Sequence, residues 1–391
     1  MPKPEPLPSA AVRSKTDGGF FAGLDYLQIF SLAGLLLIGL LFIYTTGYGY
    51  GARGSAAFYR QLQWIGLGSI LWLAGLLPDY RSANVRLLTI PAYIGTIILL
   101  AATLKWGIRI YGATRWLEIA SFRIQPSEFA KIAMILLLST VFAVPRFDVN
   151  KKMGILISLL IFTPPFFLVA KEPDLGSAMV MIPAYIGIVF CAGLKWRYII
   201  IATTAVLLIG TAVVLNETLQ IRPLLREYQR DRIRVFLNPE SDRLHRGYNA
   251  YQARLAVGSG GFTGKGIGKG EQNNLGFLPH TVANNDFIFS VIAEETGFVG
   301  SAILILLYAC LLCSIWRTAF WADDPLGRYI ASGVGCIMIC HIFVNIGMSI
   351  GLTPVTGLPL PFVSYGGSFM LSGMASCGIL QSIWRHRRKE L

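Results

Sequence analysis

An all-α polytopic membrane protein of about ten transmembrane helices, with one large extracytoplasmic loop between the seventh and eighth, is the fold this sequence predicts. Three observations carry the prediction. The chain of 391 residues is 54% apolar and only 14% charged, against about 25% charged in soluble domains. The missing charge is absent in blocks, not thinned evenly along the chain. Each block runs to about 20 apolar residues, the length that crosses roughly 30 Å of hydrocarbon as helix.

In chain order, residues 1–20 are polar and Pro-rich, without the apolar core and small-residue cleavage site of a signal peptide, and read as a disordered cytoplasmic tail. Residues 21–384 form one membrane domain, with windows near 25–46, 57–77, 87–105, 127–145, 154–170, 176–194, 197–216, 295–316, 328–350 and 366–384. The fifth and sixth are short or broken by Pro, so a span more or fewer is also open. A basic cytoplasmic tail, "RHRRKEL", closes the chain at 385–391. Six cysteines all fall inside the windows, where they serve as small packing residues rather than disulfide or metal partners.

Orientation follows from Lys and Arg, which favour cytoplasmic loops. With both termini cytoplasmic, the inner segments outweigh the short outer loops, which hold Arg53, Arg60, Lys105, Arg109, Arg115, Arg123 and Lys171. Four of these crowd into the single outer loop 105–126. The long outer loop, 217–285, is also basic. A basic outer face points to an anionic partner at the membrane, not to nucleic acid, although attraction to anionic headgroups would look the same.

Within the long loop, "LQIRPLLREYQRDRIRVFLNP" sets Ile221, Leu224, Leu225 and Tyr228 on one helical face and Arg226, Arg230 and Arg234 on another. That is a basic amphipathic helix suited to the membrane surface. The following "VGSGGFTGKGIGKG" lacks the spacing of a P-loop or a dinucleotide fingerprint. It reads either as a backbone cradle for phosphate, with charge from Lys265 and Lys269, or as a flexible loop. The hexapeptide "IPAYIG" occurs at 90–95 and again at 182–187, an inverted repeat or a shared Pro solution.

Four constellations carry candidate chemistry. In "TRWLEIASFRIQPSEFAK", Pro126 and Ser127 mark a helix start. Glu128 and Lys131 share a face of that helix, with Arg115, Arg123 and Gln125 just outside it. A mid-bilayer charge costs about 2.5–3.5 kcal/mol, so such residues usually face the protein interior or a cavity. The alternative is a Lys snorkelling beside an interfacial Glu. Two guanidiniums, an ammonium and a helix N-terminus suit a phosphate-like anion.

The second constellation is "VAKEPDLGSAM", where Asp174 precedes a span either as a helix-dipole partner or as a functional acid. The third is "GLTPVTGLPLPFVSYGGS", stiffened by Pro354, Pro359 and Pro361 to dock a partner or plug a cavity. The fourth is "NNDFIFSVIAEETG". Glu294 and Glu295 stand where acids complement a helix start. Asp286 abuts Phe287, Ile288 and Phe289, and partial desolvation would make its carboxylate a better base near neutral pH.

Taken together and in this order, these motifs resemble the SEDS proteins (shape, elongation, division and sporulation), the RodA/FtsW-type polymerases of bacterial peptidoglycan. The segments "GATRWLEIASFRIQPSEFAK", "KEPDLGSA", "YQRDRIRVFLNP", "AVGSGGFTGKG", "NDFIFSVIAEETG" and "LPLPFVSYGGS" carry the likeness, and "TPVTGLPLPFVSYGGS" looks most like the RodA branch. The resemblance implies a multi-pass glycosyltransferase of the bacterial cytoplasmic membrane that polymerises lipid II at the outer face. It also implies a class B penicillin-binding protein, a transpeptidase, as partner, met through the outer ends of spans eight and nine and the 351–365 loop.

Residue by residue, the resemblance makes Asp286 the essential aspartate, Arg115, Arg123, Gln125, Glu128 and Lys131 the cavity motif, Asp174 the acid of "EPDLG", and Arg60 a basic residue early in span two. Lys269 joins the candidate substrate-binding set from the glycine-rich segment. One departure stands out: the family has His-Thr before the aspartate, where this chain has Asn284-Asn285, and His280 is displaced.

The residues agree on the substrate class. Lipid II carries an anionic pyrophosphate on a polyprenyl tail, and fixed cations stabilise the charge that develops as pyrophosphate leaves C1. The attacking sugar hydroxyl needs a base, for which Asp286 is the candidate. Asp286, Asp174 and Glu128 could also hold a divalent cation, although no ligand spacing demands one. A lipid-precursor flippase would need the same charges without a base, and a membrane scaffold would need neither.

Overall fold

The computed structural model describes residues 23–47, 52–110, 113–119, 122–219, 230, 232, 234–236 and 247–388. The N-terminal tail, the last three residues and most of the amphipathic segment at 219–239 therefore lie outside the described residues. Each apolar window coincides with a helix. In chain order these are α1 (Tyr26–Gly47), α2 (Ala52–Leu76), α3 (Ala83–Trp106), α4 (Pro126–Phe142), α5 (Lys152–Lys171), α6 (Leu175–Cys191) and α7 (Trp196–Thr218). Among the described residues, α8 (Tyr248–Ser259), α9 (Glu271–Asn274) and α10 (His280–Ala283) precede the long α11 (Ile288–Trp321), then α12 (Pro325–Ile350) and α13 (Gly367–Arg385).

The helices α1, α3, α5, α11 and α12, with Trp196–Asn216 of α7, are long and apolar enough to cross a membrane, and α6 is a shorter apolar helix. Large apolar side chains such as Phe30, Ile70, Leu160 and Phe320 stay exposed, as expected where lipid rather than water surrounds the protein. The core lies between α4, α6, α11, α12 and α13, around Met134, Ile135, Ile188, Leu311 and Leu380. α2 and α13 approach so closely that a Cβ on Gly378 would lie 2.2 Å from Trp72 O. Small residues permit such crossings, which give membrane helices their van der Waals contact.

The chain is not purely helical. Residues expected as an outer loop form an antiparallel three-stranded sheet in the order β1 (Ile108–Ile110), β2 (Ala113–Ile119), β3 (Phe122–Ile124). The cause is visible in the alternation of β1 and β3, Ile-Arg-Ile and Phe-Arg-Ile, a period of two that fits a strand and not a helix. Glu118 stands opposite Arg123 in the register, a cross-strand pair of opposite charge.

The hexapeptide echo also has a physical explanation. Pro91 and Pro183 lie inside α3 and α6, and each copy's tyrosine reaches the helix between them. Tyr93 Oη donates to Ile161 O at 2.7 Å, while the hydroxyls of Tyr185 and Ser158 are 2.8 Å apart. Both partners lie on α5, so the repeated tyrosines hold it from two sides.

A larger correction concerns the glycine-rich segment. Gly297 leaves the helical region at φ 64° and ψ −155°, breaking α11 in its first half. Such a break strands backbone groups that must find other partners. Residues 261–266 supply them: Lys265 N–H and Gly266 N–H donate to Glu294 O and Glu295 O at 3.0 and 2.9 Å, while Gly261 O and Phe262 O accept from Phe298 and Val299. Gly264, at φ +80°, lies so near the helix that a Cβ there would fall 2.2 Å from Glu295 O.

The segment is thus a strap that completes a broken helix, and its amides are not a phosphate cradle. Glu294 Oε1 accepts from the N–H groups of Glu271 and Gln272 and from Lys265 Nζ, at 2.9, 3.2 and 2.8 Å. Glu295 Oε2 accepts from Gly268 N–H at 2.8 Å. The two glutamates do not dress the start of α11, which begins six residues before Glu294. They are buried and hold the strap in place.

Candidate active site

Three connections converge where β2, α4 and α6 meet. Asp174 caps α6, accepting from Ser177 N–H at 3.2 Å. Its other oxygen accepts from Gln125 Nε2 at 2.9 Å, and Arg115 Nη1 lies 3.6 Å from Oδ1. Arg115 also donates to Pro173 O. Gln125 is itself fixed, its N–H donating to Ser368 Oγ on α13 at 2.8 Å. Asp174 therefore caps a helix and orders an arginine and a glutamine.

Asp286 lies just before α11 in a stretch held by its backbone. Tyr365 N–H donates to Asn284 O at 2.9 Å, Ser364 Oγ donates to Asn285 O at 2.6 Å, and Asn345 Nδ2 donates to Asp286 O at 2.9 Å. The Asp286 side chain is half-buried, and among the described residues no hydrogen bond occupies its carboxylate. Opposite it lies Gly357, at φ +75°, where a Cβ would come within 3.5 Å of Oδ2. Arg232 reaches the same loop from the basic stretch, donating to Thr356 O at 3.2 Å.

Burial pushes the Asp286 carboxyl up to about 6, against the opposing charges of Arg232 and Arg115, with Asp174 adding to the rise. A base that titrates near neutrality and is not tied up by a partner is what general-base chemistry requires. Glu172 is the second perturbed acid. Buried, with neither carboxyl oxygen partnered, it is pushed up to about 9, first by burial and then by the charge of Asp174, with Arg115 opposing. It is therefore neutral at pH 7.

Lys131 does not snorkel. It is 2% exposed, and Nζ lies 2.9 Å from Glu128 Oε1 and 3.2 Å from His341 Nε2. The Phe369 ring lies beside it, 5.7 Å from centroid to Nζ. An apolar pocket lined by Ile132, Ile135, Val334 and Met338 adjoins this group. In this arrangement the ammonium's neighbours are all inside the protein.

The remaining candidates are not drawn into the cluster. Arg60 on α2, Arg123 on β3 and Lys269 on the strap are exposed. Among the described residues no His, Cys, Asp or Glu group gathers into a metal-binding set; Glu128 is committed to Lys131 and Asp174 to Gln125 and Arg115. The proline-stiffened loop is largely a plug, because Leu358 and Leu360 to Ser364 are buried and Tyr308 Oη donates to Pro361 O at 2.6 Å. The part from 351 to 357 keeps an accessible surface for docking.

Sequence reading missed His341, Asn345 and Gln61. The last is buried and bridges Ser364 O and Gly366 N–H at 3.3 and 3.4 Å. Polar residues inside apolar windows were the available signal, since a buried polar group needs a partner. His341 and Asn345 stand out in "CHIFVNIG" on that ground alone.

A family model described as a cell cycle protein of the FtsW, RodA and SpoVE group matches residues 26–389. The chain is 42% identical over 308 residues to the peptidoglycan glycosyltransferase MrdB of Escherichia coli K12, covering 76% of this chain and 77% of that protein. It is 32% identical to the peptidoglycan glycosyltransferase RodA of Treponema pallidum, over 92% of this chain and 97% of that one. A solved structure described as the structural coordination of polymerization and crosslinking by a peptidoglycan synthase complex matches with a TM-score of 0.77 at 28% identity, over 95% and 100% of the two chains. The crystal structure of Thermus thermophilus RodA matches with a TM-score of 0.69 at 27% identity, over 95% and 99%.

Proposed function

The chain belongs to the FtsW, RodA and SpoVE family, and from that premise we propose that it polymerises lipid II with Asp286 as the general base. It is a peptidoglycan glycosyltransferase, a multi-pass bacterial membrane protein of the RodA-like branch. The finer reading has ten spans, both termini cytoplasmic, and one membrane domain from 21 to 384 with the large loop at 217–285 outside. Polymerisation at the outer face of the cytoplasmic membrane would then serve cell elongation.

The observation that carries the mechanism is the Asp286 carboxylate. It is pushed up to about 6 by burial, carries no described hydrogen bond, and faces a glycine rather than a side chain. In the proposed step the carboxylate takes the proton from the acceptor sugar hydroxyl as that oxygen attacks C1 of the donor. The C1–oxygen bond to pyrophosphate breaks, and the leaving group departs with the electron pair. Arg115 and Arg232, whose charges both act on Asp286, stabilise the developing negative charge. Arg60, Arg123 and Lys269 belong to the approach of the anionic lipid, not to the reacting centre. A class B penicillin-binding protein is the proposed partner, docked on the outer ends of α11 and α12 and on residues 351–357.

The test uses purified protein with its partner and lipid II, with glycan product resolved by length. Asp286→Asn keeps shape and hydrogen bonding but cannot accept the proton, and is expected to lose about 10²–10⁴-fold in rate. Polymer formed at near the unsubstituted rate would refute the base assignment. Wild-type protein that moves lipid II across a bilayer without polymerising it would favour a flippase.

A further inference from the structure

Asp286 and Lys131 belong to different elements, yet one segment holds both. His341 and Asn345 stand four residues apart on α12, hence on one face, and both are fully buried. His341 Nδ1 lies 3.2 Å from Pro359 O. A carbonyl can only accept, so Nδ1 carries the proton and Nε2 presents a lone pair. That lone pair faces Lys131 Nζ at 3.2 Å, with Nζ donating. One turn further on, Asn345 uses both amide hydrogens, donating to Asp286 O at 2.9 Å and to Leu358 O at 2.7 Å.

We propose that His341 and Asn345 are positioning residues that yoke Lys131 and Asp286 to the plug segment 358–364, so that the buried cation and the base hold one fixed geometry. Leu358 and Pro359 are adjacent, so their two carbonyls cannot move independently. The same segment grips the residues before Asp286 through Ser364 and Tyr365. A displacement of the plug would therefore shift Asp286 and loosen Lys131 together. Misplacement of a reacting group by about 1 Å can cost about 10²-fold in rate. The proposal rests on the reading of Asp286 as the base and of Lys131 as part of the polymerase site.

Polymerisation of lipid II by the purified protein with its partner tests it, with melting temperature recorded for every variant. His341→Leu is expected to lose about 10²-fold in kcat. His341→Gln should recover most of that loss, because an amide can donate to Pro359 O and accept from Lys131. In a double-substitution cycle, Lys131→Met with His341→Leu should be no slower than Lys131→Met alone. Losses that multiply would overturn the proposal, since His341 would then act independently of Lys131.

If His341→Leu does not fold, His341→Gln decides alone: a collapse in rate at unchanged melting temperature refutes the yoke. Asn345→Leu, which removes both donors at similar size, should lower kcat with little change in KM, and the reverse split would sink its assignment. Failure of the base reading is separable. It would appear as an active Asp286→Asn protein, while the Lys131–His341 cycle would still report whether that pair is coupled.

Discussion

Replacing Asp286 with Asn should abolish polymerisation and, at the same time, make the protein more stable at neutral pH. The carboxyl titrates at about 6 in the fold and at an ordinary 3.8 when unfolded, with burial the largest cause. Between those values the folded chain holds a proton that the unfolded chain releases. The stability carried by the protonated form is complete below about pH 3.8 and is lost as pH rises through about 6. Above that, the wild-type protein bears the full cost of a partly desolvated charge, and the Asn variant bears none.

Moving from 3.8 to about 6 corresponds to about 3 kcal/mol. That figure is a ceiling, because the side chain keeps partial contact with solvent and because Arg232 and Arg115 lose a countercharge in the variant. The assay is thermal melting of detergent-solubilised protein from pH 4 to 8. The Asn variant should melt above wild type at pH 8, and the gap should close towards pH 4. A variant that melts at or below wild type at pH 8 would show that hydrogen bonding or ion pairing, not desolvation, dominates at this carboxylate.

Glu294→Gln should lower stability by about 2 kcal/mol, because one buried oxygen serves two backbone N–H groups and a lysine; unchanged melting would mean the strap is held elsewhere. Gly264→Ala must accommodate φ +80° and a Cβ 2.2 Å from Glu295 O, a cost of at least about 1–2 kcal/mol, read as a lower melting temperature. Lys131→Met strands Glu128 and His341 and should cost about 3–5 kcal/mol, whereas Lys151→Met, outside the helix core before α5, should be close to neutral; equal effects would return Lys131 to the status of a surface charge. Ser364→Ala removes the donor to Asn285 O and the acceptor of Leu360 N–H, so polymerisation should slow, while Asn285→Thr should leave it unchanged.

Helix positions were legible because blocks of apolar residues about 20 long leave few alternatives to a spanning helix. The helix starts at Asp174 and Pro126 were legible as well, from residues whose local chemistry starts helices. What the pattern hid was tertiary in origin. The strap could not be read as such, because its glycines serve a helix break at Gly297 some thirty positions away. Residues 284–286 gave up the identity of the candidate base but not what holds it, since the long-range bonds to their carbonyls come from Asn345 on α12 and from Ser364 and Tyr365.

The same fact explains the departure from the family pattern before Asp286. Asn284 and Asn285 stand where the resemblance leads one to expect His and Thr, yet the long-range bonds that fix this stretch engage the carbonyls of residues 284, 285 and 286. A carbonyl is present whatever the side chain, so the pair can change while the aspartate keeps its place. The side chains that grip it are instead the donors Ser364 and Asn345, while His341 accepts from the lysine. The long-range grip on this site therefore comes from segments distant in sequence from the base. A search for essential residues confined to the neighbours of Asp286 in sequence would therefore miss them.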